Sequence, residues 1–172
     1  MFNGYHRSVG NTMKFDKSNI VGIVALLGAI LLIAGVFLTW VDVSFSSLIV
    51  GTEQSYSGWE VYQNEDGRFD DIGYGYAPLV ALVAGILALI TTIVPMFYQN
   101  DSVWRILGVV SLILGIVAVI LGFLFNGDVS DGFSLGGLVS ASIDVGTGLW
   151  ISVAGGILLI LGAVVDIAKK HT

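Results

Sequence analysis

Four stretches of about 20 residues, 20–40, 77–97, 103–125 and 149–168, consist almost entirely of apolar and small residues. At 1.5 Å of rise per residue, a helix of about 20 residues matches the roughly 30 Å hydrocarbon layer of a bilayer. Within that layer a backbone has to satisfy its own hydrogen bonds, so such stretches are expected to be helices. Barrel strands would need polar residues at alternate positions, and these stretches have none. Arg105 stands near the start of the third stretch, where its long side chain can snorkel to the interface. Asp166 falls in the last turn of the fourth, at an interface. The expected fold is an all-α transmembrane four-helix bundle, left-handed and up-down-up-down, formed by the whole chain of 172 residues as one domain. Only 12% of residues are charged, against about 25% in soluble domains. The first stretch is too long for the core of a cleavable signal, and no small-x-small site follows at Thr39-Trp40-Val41.

Charge placement sets the expected orientation. Arg7, Lys14, Lys17, Arg105, Lys169 and Lys170 lie in the tail 1–19, at the short link 98–102 or in the tail 169–172; Arg68 alone lies elsewhere. By the positive-inside rule both termini are cytoplasmic, in a multi-pass protein of the plasma membrane. The segments 41–76 and 126–148 then face outward, and they hold ten of the thirteen acids. Trp40, Tyr74 and Tyr76 at the outer ends, with Tyr98 and Trp104 at the inner ends, fit interfacial aromatic belts.

Small residues recur along one face of each span. The third carries Gly108, Ser111, Gly115, Ala118 and Gly122; the second carries Ala77, Ala81, Ala84, Ala88 and Thr91. The fourth carries Gly148, Ser152, Gly155 and Gly162, and the first Ala25, Gly28 and Gly35. Spacings alternating between three and four average the 3.5-residue period of a left-handed bundle, and small residues let backbones approach closely in lipid. Residues 71–90 also resemble 142–161: Gly75 matches Gly146, and Ala84-Gly85-Ile86-Leu87 echoes Gly155-Gly156-Ile157-Leu158.

The outward segments carry strand patterns. Val41, Val43 and Phe45 alternate with Asp42 and Ser44, as in a half-buried strand. Ser47 to Val50 should continue extended, Gly51-Thr52 should turn, and 55–62 reads as a returning strand, with 138–145 as a further short one. A small antiparallel sheet on the outer mouth of the bundle is expected, with the 126–148 segment at its edge.

Leu38-Thr39-Trp40-Val41-Asp42-Val43-Ser44-Phe45, followed by Ser57-Gly58-Trp59-Glu60, resembles the first extracellular segment of the claudin and peripheral myelin protein group. That group has a Trp just after its first helix and a Gly-Leu-Trp motif about twenty residues later. Trp40 matches the first, and Gly58-Trp59 matches the second without its Leu; the family's two following cysteines are absent here. The chain is also similar to small four-helix membrane proteins of bacteria and archaea. The resemblance implies a sheet-capped bundle that associates laterally or with neighbouring surfaces, and implies no chemistry.

Candidate sites are few. Glu65, Asp66, Asp70 and Asp71 form an acidic run read first as a solvated surface, with a hard-cation site as the alternative. Trp59, Glu60 and Tyr62 are candidate partner contacts. Trp40 is expected as a seam between sheet and bundle. The absence of cysteine excludes thiol chemistry and cysteine-held metals, and His6 and His171 sit in the tails with no ligand spacing. Neither a catalytic set, a cofactor motif, a small-molecule substrate site nor a basic nucleic-acid surface is visible. Ion-coupled transporters usually carry an ionisable residue in mid-membrane, and the spans have none. The expectation is a non-enzymatic membrane protein with a structural or interaction role, self-associating or bound to a membrane or envelope partner. Its alternatives are an accessory subunit of a transporter, channel or membrane enzyme, and a small oligomeric pore.

Overall fold

In the computed structural model, which describes residues 17–46, 51–65, 67, 69, 70, 72–97, 101–130 and 140–169, four long helices stand side by side. They are α1 (Lys17–Val36), α3 (Ala77–Phe97), α4 (Asp101–Ser130) and α5 (Thr147–Lys169); a short helix, α2 (Gly58–Gln63), and three strands complete the described structure. Three of the helices, α3, α4 and α5, are long and apolar enough to cross a membrane, and α1 adds a shorter apolar stretch, Ile20–Val36. The expectations for 1–16, 47–50, 98–100, 131–139 and 170–172, and for Asp66, Arg68 and Asp71, lie outside the described residues.

The long helices pack in a ring, α1 against α3 and α5, and α4 against α3 and α5. Neighbours run antiparallel. Along α1 and α5, Gly35 meets Gly148, Gly28 meets Gly155, and Ala25 meets Gly162. The approach is backbone to backbone. A Cβ on Gly28 would lie 2.7 Å from the Gly155 carbonyl oxygen, and one on Gly155 would lie 2.7 Å from that of Gly28. On the other flank of α5, a Cβ on Gly115 of α4 would come within 2.9 Å of the Gly156 carbonyl oxygen. Between α3 and α4 the polar contact is Thr91 Oγ1 with Ser111 Oγ, 2.7 Å apart and buried. Thr91 also donates to the Ala88 carbonyl.

Strands β1 (Thr39–Ser46), β2 (Gly51–Ser57) and β3 (Ser140–Val145) form an antiparallel sheet in the order β2-β1-β3. The pattern around Val41 therefore does form a strand, and the segment before α5 does add the second edge. Several boundaries differ from expectation. The first span was expected to run to Trp40, yet α1 ends at Val36 and Thr39-Trp40 open β1. The helix stops there because the Gly35 carbonyl is taken by the Leu38 N–H (3.2 Å) and the Trp40 indole N–H (2.8 Å). Gly51 and Thr52 pair with Ser46 and Phe45 instead of turning. Residues 58–62 are helical instead of extended, because Ser57 and Glu60 close a capping box. Finally, α4 continues five residues past Phe125 to Ser130, and α5 opens at Thr147.

Candidate interaction surface

The surface at the sheet end of the bundle is organised by Trp40. Strict alternation along β1 would put Trp40 and Val41 on opposite faces. The register shifts between Thr39 and Val41, so that both become buried. Trp40 is only 1% exposed, its ring edge-to-face with Phe125 of α4 at 5.2 Å. Trp40 is thus a core anchor and not part of an exposed aromatic belt. Gly58, at the start of α2, lies against it: a Cβ there would fall 2.8 Å from both Cδ1 and Nε1 of the indole. The Gly58 N–H donates to the Leu38 carbonyl and the Gly146 N–H to the Trp40 carbonyl. The two halves of the Trp40 and Gly58-Trp59 pattern therefore meet in space, and α1, β1, α2 and α5 are joined at one point.

Cross-strand partners share a face of the sheet. Val41 and Val43, opposite Val145 and Ile143, turn toward the bundle and the core. The other face carries Asp42, Ser44, Glu53, Ser55, Ser142 and Asp144. Asp42 stands directly opposite Asp144 on one side and Ser55 on the other, and the Ser55 hydroxyl donates to Asp42 Oδ1 at 2.5 Å. Like charges directly opposite one another disfavour pairing, so the acidity of this face is not explained by the sheet's own stability.

The candidate partner contacts lie on α2. Gly58 and Val61 turn inward, Trp59 is half-buried, and Glu60 and Tyr62 are exposed. The Glu60 carboxylate accepts from the Ser57 N–H and hydroxyl, both at 2.8 Å, while the Ser57 hydroxyl accepts from the Glu60 N–H. The Ser57 backbone and side-chain bonds together hold the Glu60 carboxyl below its ordinary range. Asn64 ends the helix in a left-handed conformation, φ 41° and ψ 43°.

Of the acidic run, Glu65 and Asp70 are exposed, and Asp66 and Asp71 are outside the described residues. Asp70 Oδ1 accepts from the Asn64 side-chain amide at 2.7 Å, and Asn64 Oδ1 accepts from the Phe69 N–H at 2.9 Å. This clamp folds the loop so that Phe69 is buried edge-to-face on Tyr56. Phe69 was missed because its neighbours in sequence are charged; the one signal was an aromatic standing alone in an acidic turn. Among the described residues no group of three or more His, Asp or Glu is placed to hold a metal ion. Asp128, near the end of α4, accepts from the Tyr74 N–H at 3.2 Å and so braces the turn leading into α3.

The stripe positions Gly28, Gly35, Ala81, Ala84, Ala88, Ser111, Gly115, Ala118, Gly122, Ser152, Gly155 and Gly162 are buried, and Gly108 is half-buried. Ser152 Oγ is buried without a hydrogen-bond partner, against Gly35. In the faint repeat, Gly85 corresponds to Gly156, but the two pack differently: Gly85 abuts Leu32 and Ile33 of α1, and Gly156 abuts Gly115 and Val119 of α4.

No protein-family model matches the chain, and no characterised protein matches it in sequence.

Proposed function

We propose that the chain is a four-span protein of the plasma membrane, with both termini cytoplasmic, that presents its acidic sheet outward for lateral or face-on association. The role is structural, with no chemistry of its own. The partner is a second copy or another membrane or envelope protein. The observation that carries this reading is the coupling at Trp40: the sheet is fastened to the bundle by an indole, two backbone bonds and a glycine contact. An acidic, serine-rich face fixed rigidly to a bundle suits recognition, because little ordering entropy is lost on binding. The meeting of Trp40 with Gly58 supports a claudin-like architecture, whose Trp after the first helix and later Gly-Leu-Trp motif these two positions resemble. Closely packed glycines along α1, α4 and α5 favour a filled bundle over a pore within one chain.

The chain purified alone into native lipid nanodiscs tests the reading. A defined assembly of this chain, or an envelope protein retained through the sheet and lost when Asp42, Glu53 and Asp144 are changed to Ser, is the expected outcome. A second membrane protein held at fixed stoichiometry regardless of those changes would make this an accessory subunit. Steady conductance in liposomes would make it a pore.

A further inference from the structure

The short α1 and the aromatic residues beside its end point to one arrangement, which rests on the membrane reading above. We infer that α2 lies in the phospholipid headgroup layer, with Trp59 and Tyr62 completing the apolar height of the shortest span.

The exposed residues of α1 mark its lipid-facing side. Ile20, Ile23, Leu27 and Ile30 are 46–51% exposed and recur at spacings of three and four, and Phe37, 57% exposed, lies seven beyond Ile30. This stripe does not stop at the helix end. The Phe37 ring lies 6.5 Å from that of Trp59, and Trp59 lies 5.6 Å from Tyr62. Trp59 and Tyr62 are three apart on α2 and therefore share a side of it. The apolar surface of α1 thus passes without a break onto α2.

Length gives the reason. The apolar stretch Ile20–Val36 rises about 25 Å, short of the roughly 30 Å hydrocarbon layer. The apolar stretch Arg105–Val129 of α4 rises about 37 Å. A short span is accommodated by thinning the bilayer or by interfacial anchors. Trp and Tyr favour the headgroup level, where an apolar ring and a polar tip are both satisfied. The polar side chains of α2 are Glu60 and Gln63, both exposed. Glu60 is bonded back to Ser57 at the helix start. Two other aromatic pairs lie at the same end of the bundle: half-buried Tyr74 with exposed Tyr76 just before α3, at 6.0 Å, and exposed Phe123 of α4 with exposed Trp150 of α5, at 6.1 Å. With α2 they make an aromatic level around the bundle, and the occupant that fits such a level on every side is lipid.

The chain has no cysteine, so single spin labels can be placed without background. Tyr62→Cys, Ile30→Cys and Thr52→Cys would each be labelled in the full chain, reconstituted in phosphatidylcholine vesicles. Collision with oxygen and with a water-soluble nickel chelate would then be measured. A label at 62 is expected to show an oxygen-to-nickel ratio between those at 30 and 52, several-fold above the latter, placing it about 5–10 Å into the headgroup and acyl boundary. If 62 matched 52 while 30 remained lipid-exposed, the headgroup placement would fail and the membrane reading would stand. Low access to both reagents at 62 would mean a protein covers α2, which also overturns the placement. Nickel access at 30 would overturn both.

Discussion

Glycine positions in this chain differ sharply in what surrounds them, and the difference is measurable. Gly58 has the Trp40 ring and the Val36 carbonyl oxygen 2.8 Å from where a Cβ would stand. Gly22, within α1, has no heavy atom within 4 Å of that point. Gly58→Ala is expected to destabilise the protein by about 1–3 kcal/mol, as overpacking of a filled site does. Gly22→Ala is expected to be neutral or stabilising by up to about 1 kcal/mol through helix propensity. Thermal unfolding in a mild detergent, read by circular dichroism, compares the two; equal effects would contradict the Trp40 seat. The Gly58-Trp59 pair was visible as a motif, but its purpose was not. Periodicity assigns residues to faces of one element, whereas the contact between Gly58 and Trp40 depends on a strand bulge and a helix end that no local pattern encodes.

Elements built on apolar periodicity were the most legible: the long helices, β1 and the edge strand β3 stand close to where hydropathy placed them. Their ends were less legible, because capping decides ends. Ser57-x-x-Glu60 is a capping-box sequence; the returning strand expected over 55–62 forms through Ser57, and the box turns 58–62 into helix. That box makes α2 sensitive to pH. The Glu60 carboxyl is held below its ordinary range by Ser57, so its contribution is fully present above the unfolded glutamate value of about 4.3. It is lost as pH falls through the lowered folded value. Fraying of α2, followed by Trp59 fluorescence in a variant whose other tryptophans except Trp40 are replaced by Phe, is expected only in acid. Glu60→Gln should abolish that acid transition. The sheet depends in turn on its anchor. Trp40→Ala removes a buried ring, at a cost of about 3–5 kcal/mol, and Val43→Asp places a carboxylate in the core. Both variants should make the 41–76 segment sensitive to protease, and unchanged resistance would count against a sheet seated on the bundle.

At the scale of the whole molecule, α5 is the hub. Gly148, Gly155 and Gly162 recur every seven residues along it, two of them facing glycines of α1 and the third Ala25, while Gly156 faces α4. A seven-residue spacing of contacts favours left-handed supercoiling. The remaining faces of α1, α3 and α4 expose Ile, Leu, Val and Phe over most of their length. In water a surface of that kind would aggregate; in lipid it is the surface that belongs. The acidic run around Asp70 was the least legible part of the candidate surface. Read as a string of carboxylates it left open a solvated surface or a cation site, while the fold uses Asn64, Asp70 and Phe69 to pin a loop.

The central claim is that the four apolar helices cross the bilayer with the sheet outside and the 98–102 link inside. It is tested most directly by labelling single cysteines in intact cells with a membrane-impermeant maleimide. Cysteine introduced at Glu53 should label at once, and cysteine at Ser102 only after permeabilisation. Labelling of Ser102→Cys from outside intact cells, or protection of Glu53→Cys, would contradict the topology and the account built on it.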